Sequence, residues 1–77
     1  METLEGRLLW HLEKLPYFIK VAERASFRQA SDELKIAQPS LSKSIQVLED
    51  AVGASLFYRH RRGVELTEVG AQLLKTA

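Results

Sequence analysis

The apolar positions recur at intervals of three and four for most of the chain, are interrupted twice, and give way near the end to a short alternating segment. Leu12, Leu15, Phe18, Ile19 and Ala22 lie at helical spacing and predict a first helix that ends near Ala25. Pro16 falls inside that run, and proline is accepted only in the first turn of a helix. The regular helix therefore starts between Glu13 and Pro16, and anything helical before it is kinked or separate. Phe27, Ala30 and Leu34 mark the buried stripe of a second helix. Its start is signalled by Ser26 followed three residues later by Gln29, a capping box in which hydroxyl and amide each satisfy a free backbone N–H. The pattern breaks across Lys35, Ile36 and Ala37. Pro39 suits the first position of a third helix, because its φ is already helical. Leu41, Ile45, Leu48 and Val52 then share one face, and Gly53 ends the helix.

Past Gly53 the period changes. Leu56 to Arg59 and Val64 to Leu66 are short β-favouring runs around the polar tip His60-Arg61-Arg62-Gly63, which predicts a hairpin with a four-residue loop and Gly63 at positive φ. Thr67 can cap a fourth helix, with Glu68 placed well against the positive end of its dipole. Gly70 costs about 1 kcal/mol relative to alanine inside that helix, so close packing accounts for it better than helix propensity does. Two short helices joined by so few residues make a helix-turn-helix. The predicted core behind it is Leu15, Phe18, Phe27, Leu34, Leu41, Ile45, Leu48, Leu56, Phe57 and Leu66. Residues 1–11 read as an arm, which Leu8, Leu9 and Trp10 either fold back onto the domain or use for contacts in a dimer.

Composition narrows the class. With 77 residues there is room for one small domain, and 45% hydrophobic with 27% charged residues is the balance of a folded globular chain. No apolar run approaches the ~20 residues of a membrane span. The start carries Glu2 and Glu5 and lacks the features of a signal peptide, so a cytoplasmic location is expected. There is no cysteine, and His11 and His60 are far apart without an HxxxH spacing, so neither a metal site nor a cofactor is expected. No nucleophile with a neighbouring base and no phosphate loop marks an enzyme.

The net charge of +1 announces no nucleic-acid partner, but its distribution is uneven. Residues 1–13 hold Glu2, Glu5 and Glu13 against Arg7, which leaves +3 on residues 14–77, with Arg59, Arg61 and Arg62 concentrated at the hairpin. At 100° per residue, the exposed arc of the third helix gathers Gln38, Pro39, Ser42, Lys43 and Gln46 without an acid. Glutamine and serine can donate to and accept from base edges, and Lys43 can reach guanine or a phosphate, so this arc suits a reader of the DNA major groove. Any surface helix has a polar face. The order of elements separates the readings: capped helix, short turn, helix with a polar N-terminal half, basic hairpin. Ala37 and Gln38 occupy the capping region of the third helix, so its first N–H groups are open to a phosphate unless Ser40 or water caps them.

The stretch KLPYFIKVAERASFRQASDELKIAQPSLSKSIQVLEDAVGASLFYRHRRGVELTEVG resembles the N-terminal domain of LysR-type transcriptional regulators. The resemblance covers residues 12–77 and rests on linked motifs: YF…VAE…SF, SDEL, QPSLS, the I…LE…G run, LF…R and RG…LTE.G. It implies a mainly α, winged helix-turn-helix DNA-binding domain over residues 12–66, and over residues 67–77 the start of a linker helix that pairs two subunits. The third helix would lie in the major groove and the wing on adjacent backbone or minor groove. By this resemblance, Gln38, Pro39, Ser40, Ser42 and Lys43 contact DNA beside Gln46 of the same arc. Ser26, Phe27 and Arg28 lie near the backbone, and Arg59, Arg61 and Arg62 belong to the wing. The implied partners are a pseudo-palindromic double-stranded operator and a second copy of the chain, as homodimer or tetramer in a full-length protein.

The chain also departs from the family pattern. Ala37 stands where serine is common, Lys43 where arginine is commonest and Tyr58 where an acid is frequent, and Pro16 and the arm are unusual. Lysine lacks arginine's bidentate fork, so Lys43 is expected to make a phosphate or single-bond contact. Family members carry in addition a domain that senses a small molecule. Its absence from these residues implies an excised fragment or a protein reduced to its reader. The rival from another class is a winged helix that binds protein, which need not keep basic residues on both recognition helix and wing, and whose binding would lack a steep salt dependence.

Overall fold

Helix α1 (Leu15–Arg24) follows a single 3-10 turn at Leu12–Lys14 in the computed structural model, which describes residues 12–76. The arm expected over residues 1–11 lies outside the described residues. Pro16 stands in the first turn of α1, where the missing N–H costs nothing. The helix ends on Ala25, whose left-handed backbone (φ 53°) lets its N–H donate to the Val21 carbonyl at 2.8 Å. The next residue is already a cap: Ser26 is extended, and its Oγ accepts the Gln29 N–H at 3.1 Å, opening α2 (Phe27–Leu34). Of the expected capping box, this hydroxyl half is the one formed among the described residues.

Helix α2 closes on Lys35, also left-handed (φ 59°), and after this short turn α3 runs over Gln38–Val52. Pro39 takes the second helical position rather than the first, because Gln38 has joined the helix and the extended Ala37 precedes it. Gly53, at φ 84°, is the stop that the sequence predicts.

Strands β1 (Phe57–His60) and β2 (Gly63–Leu66) pair antiparallel in the register Phe57↔Leu66, Tyr58↔Glu65, Arg59↔Val64 and His60↔Gly63. The hairpin is tighter than expected: His60 and Gly63 are strand partners and only Arg61 and Arg62 form the turn. The Arg62 N–H donates to His60 Nδ1 at 3.3 Å across it. Gly63 has the expected positive φ, at 140°, and a second reason to be glycine, since a Cβ there would overlap the Ala25 carbonyl oxygen. That carbonyl accepts the Val64 N–H at 3.1 Å and fastens β2 to the α1–α2 turn.

Helix α4 (Glu68–Thr76) is capped by Thr67, whose Oγ1 accepts the Gly70 N–H at 3.0 Å and donates to the Ser55 carbonyl at 2.7 Å. Gly70 does serve close packing, because a Cβ would overlap the Leu56 carbonyl oxygen.

The core is formed by Phe18 and Val21 of α1, Phe27 and Ala30 of α2, Leu41, Ile45 and Leu48 of α3, and Leu56, Phe57 and Val64 of the hairpin. Phe57 bridges two other rings, 5.4 Å from Phe18 and 6.0 Å, edge-on, from Phe27. Three expected members differ. Leu34 and Leu66 are half-buried at its margin, and Leu15, at the open end of α1, is half-buried outside it. Val21, Ala30 and Val64 fill the three places left, and the Val64 N–H is bonded to the Ala25 carbonyl.

Ile45 is fully buried at the middle of α3. We expect Ile45→Ala to cost about 2–5 kcal/mol, as large-to-small core changes do, and to lower the urea midpoint accordingly. A midpoint equal to that of the parent would place Ile45 outside the core.

Candidate nucleic-acid interface

The burial of Leu41, Ile45 and Leu48 turns the opposite side of α3 outward. Gln38, Pro39, Ser40, Lys43 and Gln46 are exposed there, with Ser42 half-buried between them. The first backbone bond of the helix runs from the Leu41 N–H to the Ala37 carbonyl at 3.0 Å, and Ala37 offers no side-chain cap. Because Pro39 has no N–H, the open end of α3 presents those of Gln38 and Ser40, at the positive end of the helix dipole.

Further along the helix the face becomes a shallow groove lined by Pro39, Ser42, Lys43, Gln46, Glu49 and Arg59. Glu49 was absent from the expected arc. Its signal was available, since it lies two turns beyond Ser42 on the same side of the helix. Its carboxylate is engaged: Oε2 accepts the Leu56 N–H at 2.8 Å, directing the charge toward the base of the wing.

A second groove, of about 610 Å³, opens between the start of α2 and the wing. Ser26, Phe27, Arg28 and Gln29 line one side, Arg59 to Val64 the other, and Gln38 closes the end nearest α3. Arg24 also lines it but is paired with Glu33, at 2.9 Å. Arg28, Arg59, Arg61 and Arg62 are exposed and pair with no carboxylate among the described residues.

Two of the residues expected in the site have particular positions. Phe27 is a core residue, 7% exposed, and what it offers this surface is its backbone N–H at the first position of α2 and one face of its ring. Arg59 is a strand residue rather than part of the tip, and its guanidinium carbon lies 4.3 Å above the Phe27 ring. Arg59 alone of the wing arginines lines both grooves, so the polar face of α3 and the basic wall of the wing meet at it. Tyr58 and its partner Glu65 are exposed on the other face of the hairpin.

Among the described residues, no group of histidine, aspartate and glutamate side chains could hold a metal ion, and no helix is long and apolar enough to cross a membrane.

Three helices with the third exposed along one side, followed by a two-stranded wing, make this a winged helix-turn-helix domain. The model of the bacterial regulatory helix-turn-helix proteins of the lysR family matches residues 12–71, and the chain belongs to that family. It is 46% identical over 66 residues to the HTH-type transcriptional regulator TfdT of Cupriavidus pinatubonensis, covering 86% of this chain and 29% of that protein. To the HTH-type transcriptional regulator IlvR of Caulobacter vibrioides it is 49% identical over 63 residues, covering 82% of this chain and 21% of that one. The chain thus spans less than a third of the length of either relative. Among solved structures, the BenM DNA-binding domain in complex with catB site 1 DNA superposes with a TM-score of 0.80 at 43% identity, over 84% of this chain and 73% of that one. The CbnR DNA-binding domain in its DNA complex gives 0.80 at 38% identity, over 83% and 74%.

Proposed function

We propose that this domain binds double-stranded DNA sequence-specifically, as the reader of a bacterial LysR-type transcription regulator, with α3 in the major groove and the wing on flanking backbone or minor groove. The observation that carries this reading is the continuity of the polar face of α3 with the basic wall of the wing, joined at Arg59, in a fold shared with domains whose solved structures are DNA complexes.

Gln38 and Ser42 are the base-reading residues, with Pro39 and Gln46 completing the arc. Lys43 takes a phosphate or a single base acceptor. A phosphate at the open start of α3 would meet the N–H groups of Gln38 and Ser40, and Ser26, Phe27 and Arg28 present a second such terminus. The function is binding rather than catalysis, in the cytoplasm. The relatives are named as transcriptional regulators. In a full-length protein the partners would be a pseudo-palindromic operator and further copies of the chain, with an effector-sensing domain elsewhere.

Selection of duplexes from a random pool tests the reading. Gln38→Ala or Ser42→Ala should relax preference at one or two base pairs, by about 1–3 kcal/mol for a good contact. Equal weakening on selected and random DNA would make these residues backbone contacts instead.

Arg61 and Arg62, in an exposed two-residue turn, are suited to phosphates. Each alanine replacement should flatten the plot of log K against log salt by about 0.9. An unchanged slope would remove them from the phosphate contacts.

Assembly follows from α4. Leu73 and Leu74 pack partly against the domain's own core, whereas Val69 is 39% exposed. One such side chain gives about 1.5–3 kcal/mol if fully buried, against an association cost of about 4–15 kcal/mol. The 77-residue chain should therefore be a monomer or weak dimer in solution, with recognition helices of two copies set about 34–36 Å apart on a palindrome. Sedimentation equilibrium at micromolar concentration checks this, and a tight dimer that persists without residues 1–11 would refute it.

A further inference from the structure

We propose that Phe27 is a positioning residue for DNA binding: its ring holds the Arg59 guanidinium at the corner between the recognition helix and the wing, so that this arginine meets DNA already oriented. The proposal rests on the DNA-binding reading above and adds to it a role for the largely buried ring of Phe27.

The first support is geometric. The guanidinium carbon of Arg59 stands 4.3 Å from the Phe27 ring centroid, well inside the ~6 Å range of cation–π attraction. Cation–π attraction does not consume the N–H donors of the guanidinium, and Arg59 makes no ion pair with a carboxylate among the described residues, so those donors stay free for a phosphate or a base edge.

The platform is rigid. Phe27 is 7% exposed and meets Phe57 edge-on at 6.0 Å, and Phe57 lies 5.4 Å from Phe18, so a chain of rings anchors it in the core. The strand bearing Arg59 is held as well: Arg59 pairs with Val64, whose N–H is bound to the Ala25 carbonyl just ahead of α2. Platform and arginine are thus tied to the same joint between the α1–α2 turn and β2. A free arginine loses much rotamer entropy when it binds, and part of that loss is already incurred here in the unbound domain. Arg61 and Arg62, in the exposed turn, have no aromatic beneath them among the described residues.

If Phe27 acted only as core, its replacement would lower stability and leave the affinity of the folded domain unchanged. A double-mutant cycle separates the two roles. Dissociation constants for a duplex selected with the parent domain are measured for Phe27→Leu, Arg59→Ala and the double variant, at a temperature where circular dichroism shows each to be folded. If Phe27→Leu does not fold, Phe27→Met takes its place.

The expected result is that the Phe27 change weakens binding about two- to fivefold when Arg59 is present and has no effect in the Arg59→Ala background. Phe27→Tyr, which keeps the ring face, should bind as the parent does. In the free protein, the side-chain proton resonances of Arg59 should be shifted upfield by the ring in the parent and in Phe27→Tyr, and return to ordinary values in the Leu or Met variant. The same weakening in both backgrounds, or none in either, would overturn the proposal while leaving the DNA-binding reading intact. A parent domain that selects no duplex would overturn that reading, and the positioning role with it.

Discussion

The backbone of one buried residue, Leu56, fixes where the wing and the last helix can go. Its N–H is held by the Glu49 carboxylate of α3, and its carbonyl accepts the Thr67 N–H at 3.0 Å where the chain leaves the hairpin. The same carbonyl lies against Gly70, which admits α4 only because no Cβ intervenes. Both ends of the hairpin and the start of α4 are therefore referred to the recognition helix through a single peptide segment. At the far end of β2 the Ala25 carbonyl repeats the arrangement, with one hydrogen bond to Val64 and one glycine, Gly63, permitting the approach. A surface made jointly by α3 and a wing needs such fixed joints, because a hairpin of four residues per strand has too little apolar area to hold its own position.

Charge placement follows from the same packing. The chain is nearly neutral, yet the two grooves are lined by five cations, Arg28, Lys43, Arg59, Arg61 and Arg62, that form no ion pair among the described residues. Glu33 lies within 3.5 Å of Lys20 and also pairs with Arg24 on the α1–α2 side, and Glu49 is turned to the Leu56 amide. The ion pairs are partly exposed and add little to stability. Their consequence is local: they leave Arg28, Lys43, Arg59, Arg61 and Arg62 as unpaired cations among the described residues. Net charge says little about such a surface, and the sign of the field at the grooves depends on which acids face away from them.

Much of this was legible in the chain itself, because it depends on residues close together in sequence. The stripes of α2 and α3, the Ser26 and Thr67 caps, the Gly53 stop, the positive φ at Gly63 and the polar arc from Gln38 to Gln46 all follow from periodicity and from the hydrogen-bonding needs of helix ends. What only the tertiary structure decided involves partners distant in sequence. The tip shrinks to two residues because strand pairing continues to His60 and Gly63, and Val64 is packed into the core beside the α1–α2 turn, to which its N–H is bonded at Ala25. Glu49 lines the groove while one of its carboxylate oxygens accepts the Leu56 N–H. Arg59, one more basic residue beside the tip when read along the chain, is separated from Arg61 and Arg62 by the ring of Phe27 beneath it. Spacing and composition report which side chains share a face of one element; which faces meet is settled by close packing and backbone hydrogen bonds between elements, and those pairings leave no local periodicity to read.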